Sequence, residues 1–151
     1  METVPEISSA LVARLMRLVT IGAAEQCGLL RGRGHKVLRA DHAANVADAP
    51  ATTFEIDPGA LIAAHRAARR RGGLELLGYY HTHPRGDAMP SETDAACAAP
   101  DGQLWLIAAH HEALLFRAVP SGAIHGRFDP LEFDLVVGNR APERVGGVRR
   151  R

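Results

Sequence analysis

At 151 residues, 46% hydrophobic and 23% charged, the chain has the size and composition of one globular domain with an ordinary core. A net charge of +1 gives no overall attraction to nucleic acid or to a membrane surface, so neither is an expected partner and function must be sought in local groups. Two cysteines, Cys27 and Cys97, exclude a disulfide framework; the absence of a long apolar run and of a secretory leader makes the cytoplasm the expected compartment.

Val4 to Ile7 reads as a short edge strand. Ser8 or Ser9 then caps a helix in which Leu11, Val12, Leu15, Met16 and Val19 recur at helical spacing, ending near Gly22. Gln26 to Arg31 is a buried strand with Glu25 at its entrance, and Arg33-Gly34 turns it into a second strand from His35 to Ala40. His42 to Thr52 has no periodicity and reads as a loop, with Asn45, Asp48 and Pro50 as turn residues. Thr53 to Ile56 is a short strand. Asp57 and Pro58 take the cap and first-turn positions of a helix reaching about Arg71, where an arginine run complements the negative end.

Leu74 to Tyr80 is a buried strand, and Gln103 to His110 is another, carrying the single tryptophan, Trp105. Ala113 to Ala118 follows, Pro120 to Gly122 is a turn, Ala123 to Phe128 is a last strand, and Leu131 to Val137 docks on the sheet. Beyond Gly138 the composition is that of a loose basic tail, which divides the chain into a domain over 1–137 and a tail over 138–151. This order of elements argues α+β, a largely antiparallel sheet flanked by helices.

The chemistry is concentrated in His81-Thr-His-Pro-Arg-Gly-Asp-Ala-Met-Pro-Ser-Glu-Thr-Asp94. His81 and His83 fall at the end of a strand, where residues two apart share a face. Pro84 and Gly86 break the strand, and Pro90-Ser91 starts a helix with Ser91 as N-cap. Asp94 lies on the same helical face as Ser91. Two imidazoles and a carboxylate suit zinc and leave a fourth tetrahedral position for water. The competing reading of Ser91 and Asp94 is a capping box, which turns the carboxylate back to a backbone N–H and away from any metal. Cys97, on the face of Asp94, reads as structural. His110 and His111, being adjacent, face opposite sides, and His35, His42, His65 and His125 have no partners at ligand spacing and read as surface or packing residues.

His81, His83, Ser91 and Asp94 carry the pattern H-x-H, seven residues, S-x-x-D, and Glu25-Gln-Cys-Gly-Leu-Leu-Arg-Gly32 carries E-x-C-G-L-L-x-G. Together with Tyr79, Tyr80 and Pro84 they resemble the signature of the JAMM (MPN+) metalloproteases, in a small prokaryotic form. The resemblance implies an MPN-type fold with a curved sheet. It implies one catalytic Zn2+ held by His81, His83 and Asp94, a general base at Glu25 and an oxyanion-stabilising hydroxyl at Ser91. The activity it implies is a zinc-dependent isopeptidase or peptidase, acting after the C-terminal glycine of a ubiquitin-like or sulfur-carrier protein with a Gly-Gly end. Hydrolases with H-x-H-x-D-H are disfavoured, because Arg85 and Gly86 stand where Asp and His are needed. A non-catalytic MPN scaffold and a purely structural metal site are the remaining alternatives.

Overall fold

A computed structural model describes residues 3–19 and 24–146, so Gly22 and the last five residues of the tail lie outside the described residues. Its elements run β1 (Glu6–Ser8), α1 (Ser9–Leu18), β2 (Cys27–Arg33), β3 (Lys36–Ala43), α2 (Pro58–Ala68), β4 (Glu75–Thr82), α3 (Glu92–Cys97), β5 (Leu104–Ala108), β6 (Ala113–Gly122), β7 (Gly126–Val136) and β8 (Glu143–Gly146). Both longer helices start where local chemistry dictates. Ser8 Oγ accepts the Leu11 N–H at 3.1 Å, and Asp57 accepts the Gly59 N–H ahead of Pro58. Leu11, Val12 and Leu15 form the buried stripe of α1.

The eight strands lie in the order β1-β3-β2-β4-β5-β6-β7-β8, and β1 also pairs with β7, so the sheet curls back on itself. It is a mixed sheet. β1–β3, β1–β7 and β4–β5 are parallel, and the other pairs are antiparallel. Both faces are covered. Along β5, Leu104, Leu106 and Ala108 join the core under α1, while Trp105 and Ile107 join a second core with Phe116 and Phe128. Parallel pairing of β4 with β5 needs a crossover, and residues 83–103 with α3 supply it. The chain therefore leaves β4, turns through α3 and re-enters the sheet beside it.

Several segments differ from the sequence reading for identifiable reasons. Thr53 to Ile56 is not a strand, since only Ile56 bridges Asn45. Backbone bonds from Val46 N–H to Glu55 O and from Asp57 N–H to Ala44 O flank that single bridge, and the Asn45 side chain adds to them, its Oδ1 accepting the N–H groups of Ala47 and Glu55 at 3.1 Å each. β3 runs on to Ala43, where a loop was expected from His42. Pro120 to Gly122 belongs to β6, and the two segments expected after it merge into the single strand β7. In the region read as a loose tail, β8 pairs with β7, and Arg144 ion-pairs with Asp134 and Glu132 at 2.5 and 3.4 Å. Among the described residues no helix is long and apolar enough to cross a membrane.

Gly78 faces Leu104 across the parallel pair, and a Cβ at Gly78 would land on the Leu104 carbonyl. Gly78→Ala is therefore expected to force β4 and β5 apart and to cost about 1–3 kcal/mol, read by denaturant titration. An unchanged midpoint would show that the strands separate freely at this point.

Candidate metal centre

The end of β4 is held between its two neighbours. On one side Cys27 of β2 pairs with His81, and the next pair toward the end of β4 is clamped twice, with Thr82 N–H donating to Gln26 O and Gln26 N–H donating to Thr82 Oγ1, both at 2.9 Å. On the other side the His83 N–H donates to Ala108 O at 2.8 Å. The backbone thus stays extended one residue past β4, and His81 and His83 point the same way. The segment that leads into β2 sets the Glu25 carboxylate beside them.

The two imidazoles meet the carboxylate of Asp94. His81 Nε2 and His83 Nε2 are 3.0 Å apart, and each lies 3.2 Å from Asp94 Oδ2. Asp94 comes from the first turn of α3, where the capping box is complete: its N–H donates to Ser91 Oγ, and its Oδ2 accepts the Ser91 N–H, both at 3.0 Å. Cap and ligand therefore do not exclude one another. The oxygen that closes the box is the oxygen that faces both imidazoles.

All of this is buried. Relative exposures are 0% for His81, 8% for His83, 2% for Asp94 and 6% for Glu25. His83 Nδ1 donates to Asp87 O at 2.8 Å, which leaves its Nε2 as the lone-pair atom of a neutral ring. His81 Nδ1 has no partner; its ring stacks on Phe54 at 4.3 Å and meets the Trp105 ring edge-on at 5.7 Å. With His83 Nε2 bare, the three close contacts share one hydrogen at most, on His81 Nε2. A cation at their centre would instead satisfy all three lone pairs. Donors bound tetrahedrally to zinc at about 2.0–2.1 Å stand roughly 3.3 Å apart, close to the spacing of these atoms. The donor set fits zinc.

Glu25 completes the cluster, its carboxylate offering an oxygen within 4.8 Å of the ring nitrogens of His81 and His83, while Oε2 is buried without a partner. Its backbone is fixed from the loop after β3. The Glu25 N–H donates to Pro50 O at 2.7 Å, and Asn45 Nδ2 donates to Glu25 O at 3.0 Å. Burial, then the negative charge of Asp94, raise the Glu25 carboxyl from 4.5 to about 7, against a smaller opposing pull from His83. Burial likewise lowers the His81 imidazole despite Asp94. For His83 burial pulls down, but the Asp94 and Asp87 hydrogen bonds and the nearby carboxylates prevail and raise it. Asp94 is pushed upward by burial, but the His81 and His83 imidazoles against it and the Ser91 N–H hold it well below the usual carboxylate range.

The structure thus brings His81, His83 and Asp94 together with Glu25 beside them, and Ser91 joins through the cap. Cys97 is exposed and lines a separate groove, and the buried Cys27 thiol is pushed up to about 11 by burial and Glu25, far from a reactive thiolate. That groove, about 700 Å³, runs over Phe54, Tyr79 and Trp105 on the His81 face of β4, with Asp48, Glu55 and Asp101 among its walls. Phe54 and Asn45 escape the sequence reading. Phe54 falls in a short segment of strand composition and Asn45 among turn residues, and neither stands at ligand spacing.

Two imidazoles and a carboxylate converging on one point, with a second buried carboxylate alongside, are the donor chemistry of a mononuclear metal centre. Residues 8–120 match the model of the prokaryotic homologs of the JAB domain, and the chain belongs to that family. It is similar to a desampylase of Haloferax volcanii, 36% identical over 86 residues, covering 56% of this chain and 61% of that one. A probable TtuB-protein conjugate cleaving protease of Thermus thermophilus is 44% identical over 70 residues, 46% of each chain. The chain thus spans 61% and 46% of the lengths of these two relatives. In fold it resembles a JAB1/MPN domain protein from Archaeoglobus fulgidus, with a TM-score of 0.51 and 15% identity over 91% of this chain and 98% of that one.

The upward shift of Glu25 has a sign that can be measured. Between pH 4.5 and about 7 the folded chain holds a proton that the unfolded chain has lost, so this residue makes stability fall as pH rises through that window. In chelator-treated protein, Glu25→Gln is expected to raise the melting temperature relative to wild type at pH 8 and to leave the two nearly equal at pH 4. A difference independent of pH would contradict the shift.

Proposed function

We propose that this chain is a zinc-dependent isopeptidase or peptidase that hydrolyses the amide bond after the C-terminal glycine of a ubiquitin-like or sulfur-carrier protein. The observation that carries the reading is the convergence of His81 Nε2, His83 Nε2 and Asp94 Oδ2 within 3.0–3.2 Å, beside the buried Glu25 carboxylate. His81, His83 and Asp94 would hold one Zn2+ per chain. When bound, zinc lowers the pKa of a coordinated water toward neutrality and polarises the scissile carbonyl. Glu25, with an oxygen free of other partners, accepts the proton of the attacking water and returns it to the leaving amine nitrogen. Ser91 Oγ accepts the Asp94 N–H through a lone pair, which leaves its own O–H available to donate to the oxyanion as it forms.

The names of the relatives from Haloferax and Thermus support the substrate class, and a soluble modifier of that kind fits a cytoplasmic enzyme. The groove of about 700 Å³ that runs over Phe54, Tyr79 and Trp105 supports it further, since Phe54 and Trp105 also pack on the His81 ring and the floor is apolar. A Gly-Gly terminus is the slimmest extended chain that can reach a buried centre. Because two glycines offer almost no side-chain contact, affinity must come from the body of the modifier. A conjugate should therefore be cleaved with a much higher kcat/KM than a short peptide bearing the same scissile bond, and equal values would mean a general peptidase.

A second experiment separates ligands from chemistry. Wild-type protein should carry one zinc per chain, lost in His81→Ala and in Asp94→Ala. Glu25→Gln should keep the metal and lose about 10²–10⁴-fold in turnover. Ser91→Ala should lose about 10²–10³-fold if its hydroxyl meets the oxyanion, against on the order of 1 kcal/mol of stability and normal turnover if it only caps α3. Full zinc with no turnover on any conjugate would favour a structural metal in a scaffold.

A further inference from the structure

We infer that His125 is a positioning residue for the metal centre, acting on Asp94 through the Pro90–Ser91 peptide unit; the inference rests on the proposed role of Asp94 as a ligand. His125 lies in the connection between β6 and β7, remote in sequence from every other residue of the site. Its Nε2 lies 3.0 Å from Pro90 O, and since a carbonyl oxygen can only accept, that nitrogen carries the hydrogen. The C=O of Pro90 and the N–H of Ser91 belong to one planar peptide unit and point in opposite directions. On the far side of that plane the Ser91 N–H donates to Asp94 Oδ2 at 3.0 Å. A continuous path thus runs from the His125 N–H through one peptide unit to the oxygen that both imidazoles face. Hydrogen bonding at one end of a peptide polarises the group at the other, so each bond strengthens the next and the plane is fixed from both sides.

The His125 side chain has no evident purpose within its own turn. The turn is closed without it, by Ile124 N–H to Phe128 O at 2.8 Å and by Arg127 and Phe128 N–H to Ile124 O at 3.0 Å each. Its backbone sits at φ +50, in the left-handed region where glycine is the natural occupant. A histidine there is a costlier choice than glycine, and the one feature it adds is the bond to Pro90. The segment it reaches also depends on other side chains for its shape: His110 Nε2 donates to Pro84 O at 3.1 Å, and Glu112 Oε1 accepts the Ala88 N–H at 3.2 Å. His125 is the contact that leads directly to Asp94.

The test uses His125→Gly, which suits the backbone at that position and keeps the turn. In metal-free protein, hydrogen exchange of the Ser91 amide should accelerate about tenfold or more over wild type, while the core amide of Leu106 is unchanged. Zn2+ affinity, measured by competition with a chromophoric chelator, should fall about 10–100-fold, the range for loss of a group that orients a ligand. Wild-type Zn2+ affinity in His125→Gly, or a loss of affinity with Ser91 exchange unchanged, overturns the inference. Wild type that binds no Zn2+, or Asp94→Ala that binds it as wild type does, sinks the ligand reading itself, and Ser91 exchange then still reports on the hydrogen-bonded path.

Discussion

A single carboxylate oxygen, Oδ2 of Asp94, stands against the Ser91 N–H and the Nε2 atoms of His81 and His83 at 3.0–3.2 Å. A carboxylate on a residue only 2% exposed needs a donor or a cation, and the Ser91 N–H supplies the one while a cation shared with the two imidazoles would supply the other. The start of α3 and the orientation of the imidazoles consequently cannot be separated. Loss of the carboxylate would open one half of the capping box of a six-residue helix and leave two buried rings without a common partner.

That convergence is possible because of how the sheet is connected. The β4–α3–β5 crossover puts a helix start beside the C-terminal end of a parallel pair, the place where open sheets leave room for a ligand. β2 runs antiparallel on the other edge of β4, and the segment that leads into it sets the Glu25 carboxylate beside His81 and His83. Glycines allow the packing to be this close. A Cβ at Gly28 would strike both the Asp41 carbonyl and the Tyr80 ring, and one at Gly78 would strike Leu104. The E-x-C-G pattern is thus as much a packing requirement on β2 as a marker of chemistry.

What the sequence disclosed was local. Ser8, Asp57 and Ser91 announce their helices because a cap is a contact between residues two or three apart, and His81 and His83 announce a shared face because a strand alternates. Position of Glu25 beside the imidazoles was legible only through family resemblance, since a register between β2 and β4 leaves no mark at either residue. The parallel pairings of β1 and of β4 with β5 are equally silent, being partnerships between distant segments. Thr53 to Ile56 shows strand composition but pairs with its partner segment only at the Asn45–Ile56 bridge, too short a pairing to make a strand. His125 carried no signal, because its partner is a backbone carbonyl. The capping box and the ligand set compete in the pattern because pattern alone does not show that one carboxylate oxygen can accept an N–H and still face two imidazoles.

X-ray absorption at the zinc edge of the zinc-loaded protein tests the central claim most directly. Low-Z ligands only are expected, nitrogen and oxygen at about 2.0–2.1 Å, with the outer-shell scattering of two imidazoles. Asp94→Ala should lose this signature. Sulfur scattering near roughly 2.3 Å, or a shell without histidine, would contradict it.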